Sequence, residues 1–256
     1  MTLKLVVLFL APLISGLMIF LVPKADNRNF RLLLVFAGSY LFAITVIHIL
    51  PELYIHSAEL QWVGLFVLIG FFLQQLLEYF TSGIEHGHMH THDHTHDHHH
   101  HSHSQGNQRV SAFVLLIALC IHAFLEGGML AHPHDGAVIY DLNAILLGIA
   151  LHRAPAAFAL MTVLASSLGS RAKAIPHLLI FSIAAPVGLL LSTVLTHEEI
   201  LSGTGLMYLY AIVCGNFLHI STTIVFESSP EHRFNARKMI VAIIGAVVAV
   251  AVEYIV

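Results

Sequence analysis

Eight stretches of about twenty mostly apolar residues follow one another along this chain. They lie near residues 3–22, 31–53, 61–83, 110–131, 141–168, 174–196, 204–227 and 237–256. Twenty helical residues rise about 30 Å, the thickness of a bilayer's hydrocarbon core. No water reaches that core, so a spanning segment satisfies its own backbone amides and carbonyls as a helix. Composition agrees: 57% of the 256 residues are hydrophobic and 10% are charged, against about 25% charged in ordinary soluble domains. The expected fold is an all-α integral membrane protein with eight transmembrane helices. Helices 1–3 take residues 1–84, a loop takes 85–109, and helices 4–8 take 110–256.

The basic residues set an orientation. With the N-terminus outside, the four inner loops hold Lys24, Arg28, Arg31, Arg109, Arg171, Lys173, Arg233, Arg237 and Lys238. The three outer loops hold none, which is the positive-inside asymmetry. Both termini then lie outside. Lys4 alone precedes the first helix and Lys24, Arg28 and Arg31 follow it, the pattern of a retained helix rather than a cleaved signal peptide. The outer loops carry Glu52, His56 and Glu59, then His132, His134 and Asp135, then His197, Glu198 and Glu199. Acidic mouths concentrate cations, although ordinary solvated turns carry the same residues. The net charge of −4 offers nothing to nucleic acid. Cys120 and Cys214 sit in apolar segments as small buried thiols, not as a disulfide framework. No GxxxxGK[ST] phosphate loop occurs, which excludes an ATP-driven pump housed in these residues.

Ionisable residues inside two apolar stretches break the pattern. Helix 4 carries His122 and Glu126, four apart and so on one face. Helix 5 carries His152 and Arg153. Each ionisable group at mid-membrane costs roughly 2.5–3.5 kcal/mol on insertion scales. A divalent cation gripped by imidazole and carboxylate offsets that cost. Gly127 and Gly128 let a neighbouring helix approach closely. Pro155 has no amide for the Leu151 carbonyl, so helix 5 is expected to kink beside His152. His122, Glu126 and His152 with a water make an open, labile zinc site. Arg153 stays protonated and cannot ligate; it pairs with metal-free Glu126, or it reaches lipid headgroups or another helix. His48, Glu52, His177, Ser182, Asn216 and His219 are further polar candidates along a path, with His48 and His219 foremost as auxiliary ligands. Glu78, Glu227 and Glu231 lie toward the cytosolic side and suit an exit relay. Taken singly, His48, His177, Ser182, Asn216 and His219 each read first as hydrogen-bonded core residues.

The loop between helices 3 and 4 holds His86, His88, His90, His92, His94, His96, His98, His99, His100, His101 and His103. Such a polar low-complexity segment is expected to be flexible. Its imidazoles suit Zn2+, Ni2+ or Co2+ and release them below about pH 6.5. Its internal position and interspersed Asp, Thr and Ser set it apart from an affinity tag. It reads as a cytosolic metal reservoir or sensor, not as the translocation site.

These motifs together resemble the ZIP (Zrt-, Irt-like) metal-ion transporters over essentially the whole chain. Helix 4 of that family often reads His-Asn-x-x-Asp-Gly or His-Ser-x-x-Glu-Gly, and here it reads His122-Ala123-Phe124-Leu125-Glu126-Gly127. Helix 5 often reads His-Glu-x-Pro-His-Glu, and here it reads His152-Arg153-Ala154-Pro155-Ala156-Ala157. The family's His-Leu-x-Pro-Glu is matched by His48-Ile49-Leu50-Pro51-Glu52, and its Gly-x-Phe … Glu-x-x-Pro-Glu by Gly215-Asn216-Phe217 … Glu227-Ser228-Ser229-Pro230-Glu231. Ala123, Arg153 and Ala156 stand where some members complete a binuclear centre, and none of them can ligate. Some members have Lys at the position of Arg153. The resemblance thus implies one metal, with the Arg153 cation in place of a second.

It also implies an inverted 3+2+3 repeat and alternating access through the helix 4–5 site. The expected function is transport of a divalent metal, foremost Zn2+, toward the cytosol, with Fe2+, Mn2+, Co2+, Ni2+ and Cd2+ as other cargoes. The chain is then no enzyme, sits multi-pass in the cell membrane among lipids, and is a candidate homodimer. Two other readings are weighed against this. A cation-diffusion efflux carrier also has His-rich loops, but typically six helices and His-x-x-x-Asp pairs. An intramembrane zinc hydrolase would need only the same three ligands and a water, but no HExxH occurs.

Overall fold

The computed structural model describes residues 1–21, 27–55, 60–81, 105–131, 142–227 and 236–255. The histidine-rich loop, His56, Glu59, His132, His134, Asp135 and Glu231 lie outside them. The helices are α1 Thr2–Leu17, prolonged by a 3-10 turn Met18–Phe20, then α2 Asn27–Ile44, α3 Leu50–Ile55, α4 Leu60–Thr81 and α5 Gln105–Met129. They continue with α6 Leu142–Leu168, α7 Arg171–His197, α8 Gly203–Glu227 and α9 Ala236–Ile255. A π turn, Thr45–Ile49, joins α2 to α3 in one span. Its cause is local: Pro51 has no amide to donate and crowds the carbonyl of Ile47, so the ladder widens by a residue. His48 stands in that widened turn. Pro155, by contrast, is carried inside an unbroken α6.

Seven of the described helices are long and apolar enough to cross a membrane. The remaining long helix, α9, has 20 residues, among them Arg237, Lys238 and Glu253 around an apolar middle. The outward faces are apolar at helical spacing. Leu65, Leu68, Ile69, Phe72 and Leu76 line one side of α4, and Ile240, Ile243, Ile244 and Val247 one side of α9. On a water-soluble protein such stripes would be buried; here they are the surface that lipid wets. The chain is an all-α multi-pass membrane protein.

The helices sort into two sets. One consists of α2, α4, α8 and α9, held by the α4–α8 and α2–α9 packings. The other consists of α1, α5, α6 and α7, held by the α5–α7 and α1–α6 packings. The sets meet where α6 lies on α2 and where α5 lies on α4 and α8. Exchange α1 with α7, α2 with α8, α4 with α9 and α5 with α6, and the four main packings map onto one another. An internal repeat of three helices on either side of a central pair has this property.

Small residues make the closest crossings. A Cβ on Gly127 would stand 1.9 Å from the Ala185 carbonyl oxygen, and one on Gly188 2.0 Å from that of Phe124. The backbones of α5 and α7 therefore touch at the level of Glu126. Gly127→Ala and Gly188→Ala are each expected to cost about 1–3 kcal/mol by overpacking and to lower the melting temperature of detergent-solubilised protein. Gly203, where an added Cβ would meet nothing within 4 Å, is the control. Equal melting of all three alanine variants would show that the two helices part freely.

Candidate metal centre

α5 and α6 bring the cluster together. His122 and Glu126 stand one turn apart on α5, with Nε2 of the histidine 2.9 Å from Oε1 of the carboxylate. His152 arrives from α6, its ring centre 5.9 Å from that of His122 and nearly perpendicular to it. One ligand atom from each of the three residues lies within 4.8 Å of the other two. All three are buried, Glu126 completely. A tetrahedral zinc with bonds of about 2.0–2.1 Å spaces its ligands by roughly 3.3 Å. The 2.9 Å between His122 and Glu126 is a little shorter than that spacing, and all three ligand atoms fall within 4.8 Å, so small side-chain shifts would suffice to close around such an ion.

Arg153 is not in contact with lipid. It is 2% exposed, with Nε 3.8 Å from Oε2 of Glu126. Nη1 donates to the Leu8 carbonyl on α1 at 3.4 Å and Nη2 to the Phe181 carbonyl on α7 at 3.1 Å. The guanidinium also lies 4.9 Å from the centre of the Phe181 ring, a cation–π contact. The Leu8 carbonyl has a reason to be free: Pro12, four residues on, has no amide to give it. One side chain from α6 thereby ties α1, α5 and α7 together. With both imidazoles neutral, carboxylate and guanidinium balance to zero charge.

The other candidates are placed as follows. His219 bonds to Glu78 through Nε2 and Oε2 at 2.6 Å. His48 bonds to Glu253 through Nδ1 and Oε1. His177 stands apart near the start of α7, with Nδ1 3.2 Å from the Lys173 carbonyl and its ring tilted against Phe113. Glu52 is half-buried on α3, Ser182 and Asn216 are buried, and Glu227 closes α8. Cys120 and Cys214 are both free thiols. Glu253 is the residue that reading the sequence along its length overlooks. The sign it leaves is a repeat: Ile69-Gly70 precede Glu78-Tyr79 at the same spacing as Ile244-Gly245 precede Glu253-Tyr254.

A profile described as ZIP Zinc transporter matches residues 82–253. The chain belongs to the ZIP zinc transporter family. Among curated relatives, "Zinc transporter ZIP9-A" of Xenopus laevis is 28% identical over 174 residues, which cover 65% of this chain and 52% of that protein. "Zinc transporter ZIP9" of Xenopus tropicalis gives 28% over 173 residues, with the same two coverages. "Zinc transporter ZIP9" of Macaca fascicularis is 32% identical over 113 residues, 41% of this chain and 47% of that one. The chain spans about half the length of the curated relatives it matches. Within this ZIP chain, Ala123 and Ala156 are buried beside the cluster and offer no donor, and Arg153 holds the remaining position.

Removing the guanidinium strands a fully buried carboxylate. Arg153→Met is therefore expected to cost about 3–5 kcal/mol in metal-free detergent-solubilised protein, read as a fall in melting temperature. Adding Glu126→Gln should restore part of the loss, a coupling that a double-mutant cycle reports. Strictly additive losses would mean that the 3.8 Å pair carries no energy.

Proposed function

We propose that this protein carries a divalent cation, foremost Zn2+, across the cell membrane toward the cytosol, loading it on His122, Glu126 and His152. The observation that carries the reading is the convergence of two imidazoles and one carboxylate inside helices of spanning length. Imidazole and carboxylate suit zinc, and the printed names of the relatives are those of zinc transporters. Three protein ligands leave a fourth position to water, so the ion is held but not caged.

Arg153 tunes the grip. A dication arriving at a neutral Glu126–Arg153 pair raises the net charge of the buried site to +2. A guanidinium within a few ångströms of a dication repels it by several kcal/mol at an effective dielectric of about 20, so Arg153 loosens the metal and favours release. Alternating access then follows the packing. The cluster lies wholly within the α1, α5, α6, α7 set, which moves against the α2, α4, α8, α9 set. The 3+2+3 repeat inverts across the membrane and both termini lie outside, as the basic loops suggest. The same three side chains act here as cargo ligands, not as the centre of a hydrolase.

Reconstituted protein should accumulate zinc in liposomes that enclose a fluorescent zinc indicator. His122→Ala, Glu126→Gln and His152→Ala should each reduce the initial rate at least tenfold, in line with the cost of disturbing a metal site. The His-rich loop is intact in all of them, so the difference belongs to the cluster. Wild-type rates in all three variants would sink the assignment of the ligands.

A further inference from the structure

The helix set that lacks the central cluster holds two imidazole–carboxylate pairs of its own. One is His219 on α8 with Glu78 on α4, Nε2 to Oε2 at 2.6 Å. The other is His48, in the π turn after α2, with Glu253 on α9, Nδ1 to Oε1. Their side-chain exposures match: 8% and 16% for the first pair, 9% and 16% for the second. The exchange of α2 with α8 and α4 with α9 carries one pair onto the other. The Ile-Gly … Glu-Tyr recurrence on α4 and α9 puts the carboxylates in register. The glycines of that motif also act alike. A Cβ on Gly70 would meet the Ile212 carbonyl oxygen of α8 at 1.9 Å, and one on Gly245 would meet that of Phe36 on α2 at 2.6 Å. These are two copies of one device, built at two helix crossings.

Their positions relate them to the cluster. Glu78 and His219 come late in α4 and α8, and Glu253 and His48 come late in α9 and the α2–α3 span. Successive spans run in opposite directions, so the two pairs face opposite sides of the membrane. α5, which carries His122 and Glu126, packs on α4 and α8, while α6, which carries His152, packs on α2. Each pair therefore sits on the helices along which one of the cluster-bearing helices lies.

We propose that the two pairs are flanking stations for the divalent cation, His48–Glu253 on the outer side of the central cluster and His219–Glu78 on the cytosolic side. This rests on the transport reading above. One imidazole nitrogen and one carboxylate oxygen are the central donor set less a histidine. Each station therefore holds the ion more weakly than the centre, with water in the remaining positions. Further oxygen donors lie a turn away. Glu52 follows His48 by four residues. Asn216 precedes His219 by three, fully buried, with neither amide atom hydrogen-bonded. A device that only stapled helices together would be satisfied by apolar packing, at lower cost in lipid.

The test uses crystals of the full chain soaked in Zn2+ and mapped by anomalous scattering at the zinc edge, together with uptake kinetics in liposomes. Zinc is expected at each pair as well as at the centre. Glu253→Gln keeps the side-chain shape and should lose the outer zinc alone, and Glu253→Asp should regain it. Glu78→Gln should lose the inner zinc alone. In uptake, Glu253→Gln should raise the external zinc concentration for half-maximal rate about tenfold at unchanged maximal rate. Glu78→Gln should lower the maximal rate about tenfold at unchanged half-saturation. Zinc at the central cluster but at neither pair, with both glutamine variants transporting like the parent, overturns the stations and leaves two structural staples. Failure of the transport reading looks different: the parent itself moves no zinc, and the stations fall with it.

Discussion

One carboxylate sets the terms for the rest of this molecule. Glu126 is wholly buried in a helix of spanning length, where a bare negative charge is not tolerated. His122 from its own helix, His152 from α6 and Arg153 beside it all answer that charge. The surrounding architecture serves the same end. Gly127 and Gly188 bring α7 into backbone contact next to the carboxylate, and Pro12 releases the Leu8 carbonyl that steadies the guanidinium. The α1, α5, α6, α7 set is a shell built around one charge and its counter-charges.

Much of this is readable in the sequence because lipid is a severe solvent. Hydropathy finds each helix to within a few residues, since leaving the helix inside the bilayer strands polar backbone. The ends depart where that pressure lifts. α5 begins at Gln105 and α7 at Arg171, ahead of the apolar stretches near 110 and 174, because polar residues can prolong a helix into water. His122, Glu126 and His152 stand out because ionisable groups at that depth are costly.

What the sequence conceals is which helix faces which. Lipid chains are as apolar as leucine, so helix pairing in a bilayer is decided by fit and hydrogen bonds rather than by hydrophobicity. The division into two four-helix sets is invisible to composition for that reason. So are the partners of Arg153, two backbone carbonyls and a phenylalanine ring with no signature of their own. Glu253 is hidden differently. It lies near the end of the last helix and looks like a boundary residue until the matching Ile-Gly … Glu-Tyr of α4 is set beside it. The resemblance in motifs pointed to the family, and the matched profile over residues 82–253 bears that out.

Under the transport function proposed above, the site has to cross the membrane unladen as often as laden, and the unladen crossing is the one most easily neglected. A lone carboxylate would trap the vacant protein, since hauling an uncompensated anion through hydrocarbon raises a steep barrier. Arg153 is bolted to the same four helices, so a neutralising charge never leaves with the ion. On that reading, with both imidazoles neutral, the emptied site returns with no net charge and needs no proton or second ion to fill the vacated seat.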